Sequence, residues 1–208
     1  MDRIGDLFGG PETGSPAKPA ANREPRRQAG AVFFAVKPDA DAAAKALAQA
    51  MTLRATQGLQ SMPSAREVFH ITLFAIGDLP ELPQARIDAA SRIAASFQAS
   101  PFEVTLDRAL TFETKKPKQP LVLAGGDGVV KIRMLRQALL GDMKRAGIRP
   151  TAGSDEPHMT LLYDARKVPE QPIEPITWTV RDVVLVHSLY GLGRHEELGR
   201  WPLLDGGP

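Results

Sequence analysis

Two short stretches carry residues that could do chemistry: Phe69-His70-Ile71-Thr72-Leu73 and Pro157-His158-Met159-Thr160-Leu161. Both contain His-x-Thr-Leu. The chain has four histidines, and two of them carry this identical sequel. At ordinary residue frequencies, such a recurrence by accident has a probability on the order of 10⁻⁴. In a β-strand, residues two apart share a face. His70 and Thr72 then look one way, and Phe69, Ile71 and Leu73 look the other. His158 and Thr160 likewise oppose Met159, Leu161 and Tyr163. Each stretch offers an apolar face for a core and an imidazole beside a hydroxyl on the opposite face.

An imidazole titrates near neutrality, so one copy can be neutral while the other is protonated. Such a pair can serve as general base and general acid on opposite sides of one centre. Hydroxyls held on strands can donate hydrogen bonds to charged non-bridging oxygens. Two acid–base groups flanking two such donors suit in-line displacement at phosphorus, and this arrangement requires no metal. Other chemistries fit less well. Two histidines could ligate a metal, but the chain has no cysteine and neither tetrad contains an acidic residue. His195-Glu196-Glu197-Leu198-Gly199 starts like a zincin helix and fails at Gly199. No Gly-x-Ser-x-Gly elbow is present. Gly125-Gly126-Asp127-Gly128 is not followed by the Gly-Lys-Ser/Thr of a phosphate-binding loop. His187 and His195 lack the repeated context and read as structural or surface residues.

The elements that must position the tetrads follow from periodicity. Ala31–Val36 is a short apolar run that reads as a buried strand closed by Pro38. Residues 39–57 read as a helix capped by Asp39 or Asp41, with a stripe of Ala43, Ala46, Leu47, Ala50 and Met51 and a stop at Gly58. The first tetrad strand spans about 68–76. A helix follows over 82–99, with Ile87, Ala90, Ala94 and Phe97 on one face. Alternation over 102–112 and the run Leu121-Val122-Leu123 predict two strands. A third helix over 129–146 buries Ile132, Leu135, Leu139 and Met143. The second tetrad strand spans 157–163, Ile176–His187 reads as one long strand, and residues 199–203 form a last short one. Each tetrad thus follows a strand–helix unit. The expected fold class is α+β and bilobal: two pseudo-symmetric lobes, each an antiparallel sheet with outer helices, and a cleft between them.

The chain has 208 residues, which suits one sizeable domain. Residues 1–29 read as a Pro/Gly-rich disordered tail and residues 30–208 as a single bilobal domain. Arg23, Arg26 and Arg27 in the tail either touch RNA or belong to a solvated linker. The formal net charge of +2 permits an anionic substrate but does not by itself argue for nucleic-acid binding. Without cysteine there are no disulfides and no thiol nucleophile. No apolar run is long enough to span a membrane, and the N-terminus lacks the apolar centre of a secretory signal. A cytoplasmic protein without a cofactor is expected, acting as a monomer.

At these residues the chain resembles the 2H phosphoesterase superfamily and, within it, the bacterial 2′-5′ RNA ligase, or RNA 2′,3′-cyclic phosphodiesterase, family. His70-Ile71-Thr72-Leu73 and His158-Met159-Thr160-Leu161 match its two defining HxTx motifs. Val32-Phe33-Phe34-Ala35-Val36-Lys37-Pro38 looks like its opening strand. Val184-Leu185-Val186-His187-Ser188, Gly193, Leu198 and Trp201-Pro202-Leu203 look like its closing strands. The resemblance covers nearly everything after the tail. It implies a bilobal α+β fold and opening of 2′,3′-cyclic phosphates on RNA ends or small nucleotides to 2′-phosphates. In some members it also implies reversible 2′-5′ joining of RNA ends. Carried over, His70 and His158 are the catalytic pair, and Thr72 and Thr160 hold the phosphate. His158 is then the base that activates water and His70 the acid that protonates the departing 3′ oxygen, an order the near-symmetry of the two motifs leaves open.

Many family members follow the second tetrad with a small residue and an arginine, where this chain has Leu162-Tyr163. The cationic contact is then absent or comes from Arg166, Arg66 or a lysine. Tyr163 could stack on a base, although strict alternation turns it into the core unless the strand breaks. Two alternatives stay open: a non-catalytic RNA- or nucleotide-binding module, and a hydrolase of another small phosphodiester.

Overall fold

A computed structural model describes residues 28–151 and 156–204. Most of the expected tail, with Arg23, Arg26 and Arg27, therefore lies outside the described residues. The chain runs β1 (Gly30–Val36), α1 (Ala40–Gln57), β2 (Ile71–Leu79), α2 (Gln84–Ser96), β3 (Phe102–Thr111), β4 (Gln119–Ala124), α3 (Val130–Arg145), β5 (His158–Asp164), β6 (Gln171–Val180), β7 (Asp182–Leu189) and β8 (Arg194–Pro202). The expected pair of sheets is joined into one eight-stranded sheet of order β6-β3-β4-β5-β2-β1-β7-β8, antiparallel at every pairing. The joint between its halves is slight. β2 and β5 pair at Ile71 and Met159, the second residue of each tetrad.

The single strand expected over Ile176–His187 is in fact two, broken at Arg181 into β6 and β7. β6 lies at one edge of the sheet and β7 six places away. In a flat sheet they would stand about 29 Å apart, at about 4.8 Å per strand. One intervening residue cannot cross that gap, so the sheet curls until its two halves approach. Trp178 on β6 donates its indole N–H to the carbonyl of Lys37, just beyond β1, at 3.1 Å. The sequence hid the break because no glycine or proline marks it: the apolar residues Ile176, Trp178 and Val180 of β6 are followed after only Arg181 and Asp182 by the buried run Val183–Val186 of β7.

The helices form where caps and periodicity place them. Asp39 accepts the amide of Ala42 at 2.8 Å, and Gly58 ends α1 in the left-handed region at φ 64°. The buried row of α1 is Ala42, Ala43, Ala46, Ala50 and Leu53. It is rotated from the expected stripe, and Met51 is left 43% exposed. Small side chains let this helix lie close against its neighbours, which the larger Met51 would prevent. α3 buries Ile132, Leu135, Leu139 and Met143 as its spacing requires. These faces join the sheet in one large core, while Phe33, Ala35, Val184 and Val186 form a small separate cluster.

Candidate active site

Both tetrads are bulged at the same point. Phe34 pairs with Phe74 and Ala35 with Thr72, which leaves Leu73 as the extra residue. Leu121 pairs with Leu162 and Val122 with Thr160, which leaves Leu161 extra. A bulge places two successive side chains on one side and shifts the phase of everything after it. Leu73 and Phe74 are accordingly both buried, as are Leu161 and Leu162. Ala75 therefore packs against the small cluster that contains Phe33. Tyr163, expected in the core by strict alternation, is 51% exposed and rejoins the face of His158 and Thr160. The strand does break its alternation there, and the bulge is the reason.

About the Ile71–Met159 pair, antiparallel register sets His70 opposite Thr160 and Thr72 opposite His158. Directly opposed residues in such a pair have Cβ atoms about 5 Å apart. The four polar side chains therefore form one compact array. Among the described residues, neither threonine hydroxyl is hydrogen-bonded to another protein group.

The two imidazoles are oriented by the same device. His70 Nδ1 lies 2.7 Å from the carbonyl of Val68, and His158 Nδ1 lies 2.8 Å from that of Glu156. A carbonyl only accepts, so in each ring Nδ1 carries the proton and Nε2 keeps its lone pair. Among the described residues, neither Nε2 has a protein partner. Each ring also has a phenylalanine wall. Phe33 stacks on His70 at 4.8 Å between centroids and 25° between planes, and Phe112 meets His158 at 4.8 Å and 63°. The carbonyl that holds His158 is itself anchored, because Arg133 grips the Glu156 carboxylate at 2.8 and 2.9 Å and Arg108 lies 3.7 Å from it.

Burial pushes His70 down to about 4, with His158 and Lys37 adding like-charge repulsion against the Val68 hydrogen bond that opposes the shift. Burial also lowers His158, while its bond to the Glu156 carbonyl and the nearby Glu156 carboxylate favour its protonated form. Both rings are thus neutral in the free protein at pH 7. On charge alone, His158 is the easier of the two to protonate.

His195 was expected to be structural or on the surface. Its ring instead stands edge-on to His70 at 5.1 Å and 65°, and to Phe33 at 5.7 Å and 79°. Burial and the neighbouring His70 and Lys37 push it down to about 4. His187 is 3% exposed, with Nδ1 3.5 Å from the Glu196 carboxylate, and is structural as expected. Arg166 is exposed and bonded through one nitrogen. Its guanidinium donates to the carbonyl of Gln57 at 3.1 Å, at the end of α1. Arg66 pairs with Glu67. Lys37 is the cation whose charge reaches both His70 and His195. Phe33, Phe112, Lys37 and His195 were not singled out as site residues from the sequence, because each reaches the array from on or just beyond a strand other than the two tetrad strands and has no repeat to mark it. Among the described residues, no group of three or more His, Asp or Glu side chains could hold a metal ion, and no helix is long and apolar enough to cross a membrane.

The 2′-5′ RNA ligase superfamily profile matches residues 38–191, more than half of the chain. No curated protein matches. Among solved structures, one described as a phosphoesterase is 23% identical, with a TM-score of 0.66 over 85% of this chain and 99% of its own. Escherichia coli LigT complexed with ATP is 22% identical, with a TM-score of 0.64 over 86% of this chain and 100% of its own. The Thermus thermophilus protein TT0787 is 19% identical, with a TM-score of 0.63 over 83% and 97%. At these identities the likeness concerns the fold, and both the α+β class and the antiparallel sheet agree with it. With its profile match spanning both tetrads, the chain belongs to the 2′-5′ RNA ligase superfamily of 2H phosphoesterases.

Proposed function

We propose that the protein is a metal-independent cyclic phosphodiesterase that opens 2′,3′-cyclic phosphates of RNA ends or small nucleotides to 2′-phosphates. One observation carries the reading: two Nε2 lone pairs and two unengaged threonine hydroxyls form one array about the Ile71–Met159 pair. One imidazole takes a proton from water as its oxygen attacks phosphorus. The P–O3′ bond breaks as the other imidazole, protonated, gives its proton to O3′. Thr72 and Thr160 donate to the non-bridging oxygens, where charge accumulates. With a 5′-hydroxyl in place of water as the attacking group, the same displacement of O3′ forms a 2′-5′ linkage, and its reverse, attack of O3′ with loss of the 5′-hydroxyl, breaks that linkage and restores the cyclic phosphate. The substrate's negative charge raises both imidazoles, so one can be protonated in the complex although both are neutral without it. Escherichia coli LigT has been crystallised complexed with 3′-AMP and with phosphate, which accords with a phosphate-bearing substrate here.

In this reading Tyr163 stacks on a base beside the phosphate, Lys37 supplies long-range attraction, and Arg166, bonded through one nitrogen to the end of α1, offers the rest of its exposed guanidinium to the substrate. The halves on either side of the β2–β5 joint act as two lobes of one domain over 30–208, with the array in the cleft between them. The enzyme works as a cytoplasmic monomer without a cofactor.

The test is incubation in chelator with an oligonucleotide ending in a 2′,3′-cyclic phosphate, separating 2′- from 3′-phosphate products. A 2′-phosphate is expected, with turnover reduced about 10²–10⁴-fold in His70→Ala and in His158→Ala. Full activity in either variant would refute the paired mechanism. Binding of the oligonucleotide without turnover would instead identify a binding module.

A further inference from the structure

The third imidazole has a place in this site that the paired mechanism leaves unused. His195 lies on β8, whose register sets it opposite Ser188 of β7. It is packed edge-on to both His70 and the phenylalanine that stacks on His70. Its Nδ1 is buried without a hydrogen-bond partner. Its Nε2 has no partner among the described residues either, and is not among the buried unpartnered atoms, so it faces the open side. A neutral imidazole has one N–H and one lone pair. Placing the proton on buried Nδ1 would strand a donor, whereas on Nε2 it can reach water or a ligand. His195 therefore takes the opposite tautomer to His70 and His158. Where those rings present lone pairs, His195 presents an N–H. Being neutral, it can do so without repelling a proton on His70.

We propose that His195 is a third hydrogen-bond donor to the substrate phosphate, acting beside Thr72 and Thr160 from the His70 end of the array. The inference rests on the phosphodiesterase reading. It also supplies a donor on the side of the array away from Leu162-Tyr163, which bring no cation of their own. A neutral donor at the phosphate does part of a cation's work and leaves the acid–base pair unperturbed.

Two measurements test it. The first is a long-range ¹H–¹⁵N correlation spectrum of the wild-type protein at pH 7, alone and with inorganic phosphate or 2′-AMP. His195 is expected as the Nε2–H tautomer, with His70 and His158 as Nδ1–H, and the His195 Nε2–H resonance should move as ligand is added. An Nδ1–H tautomer at His195, or a resonance indifferent to both ligands, would overturn the proposal. The second compares His195→Phe, which keeps a ring against Phe33 and His70, with His195→Gln, which keeps an N–H donor. His195→Phe should lose roughly 10²-fold in kcat/KM, and His195→Gln should recover at least about tenfold of that. Equal losses in the two variants would reduce His195 to packing. If the wild type turns over no cyclic phosphate, the proposed function fails by itself. The spectra and the relative affinities of the two variants for 2′-AMP then decide the role of His195 independently.

Discussion

At the scale of single residues, the hydrogen bonds to Nδ1 are what the proposed acid–base pair depends on. Each commits its ring to one tautomer and leaves Nε2 free. Burial then lowers both imidazoles, His70 to about 4. Because kcat/KM reports groups of the free enzyme, its pH profile should be a bell displaced to the acid side, with one limb near 4 from His70 and the other, from His158, below the ordinary imidazole value. The profile of kcat should lie higher, because bound phosphate favours the protonated rings. Initial rates across pH 4–9 check both; a kcat/KM bell centred above 7 would contradict the burial of the pair. The order of the roles has its own test. A substrate with a good leaving group at the 3′ position bypasses the acid, so it should rescue one alanine variant and not the other. The charges around the free pair favour His158 as the acid, opposite to the order carried over from the family. Tyr163, brought to the same face, should act in binding: Tyr163→Ala is expected to raise KM about tenfold with kcat within a few-fold.

At the scale of elements, the two bulges and one buried carboxylate hold the array in place. Leu73 and Leu161 each insert one residue into the ladder, which turns the next residues over and sets Tyr163 on the open face. Asp164, at the end of β5, accepts the amides of Gln60, Ser61 and Arg166 at 2.8, 2.7 and 2.9 Å. It thereby ties the loop after α1 to the second tetrad strand, and those amides hold its carboxyl below the usual carboxylate range. Asp164→Ala leaves three amides without their acceptor and should cost about 1–3 kcal/mol, measured by urea unfolding at pH 7. An unchanged midpoint would show that the loop and strand are coupled in some other way. Since the folded carboxyl titrates below its unfolded value, its contribution is present at neutral pH and fades only as pH falls through the folded value.

At the scale of the whole molecule, a curled sheet encloses imidazoles that unfolding would release. Those of His70 and His195 titrate near 4 when folded and near 6.5 when unfolded. Between these values the unfolded chain binds protons that the folded chain does not, so stability falls as pH drops from about 6.5 to 4. The urea midpoint should therefore decline over that window, and decline less in His195→Phe, which removes one of the two groups. A midpoint that stays flat from pH 7 to 4 would mean that the rings are solvated in the folded protein.

Much of this was legible in the sequence because repetition and periodicity are local. The duplicated His-x-Thr-Leu marked the four polar residues of the array. Asp39, Gly58 and the spacing of Ile132, Leu135, Leu139 and Met143 marked α1 and α3, since caps and helical faces depend on near neighbours. What the tertiary structure decided depends on partners distant in the chain. Ile176–His187 reads as one strand, and only its pairing with β3 on one side and with β1 and β8 on the other shows the break at Arg181. Alternation turned Tyr163 inward, and a bulge defined by the register with β4 turned it out. Arg166 reads as a candidate phosphate contact in the sequence, and its hydrogen bond to the end of α1, from a residue more than a hundred positions away, is visible only in the structure. His195 has no motif at all. It joins the site because β8 and β7 carry it beside β1 and against His70, a proximity set by strand order rather than by any residue near it in the chain.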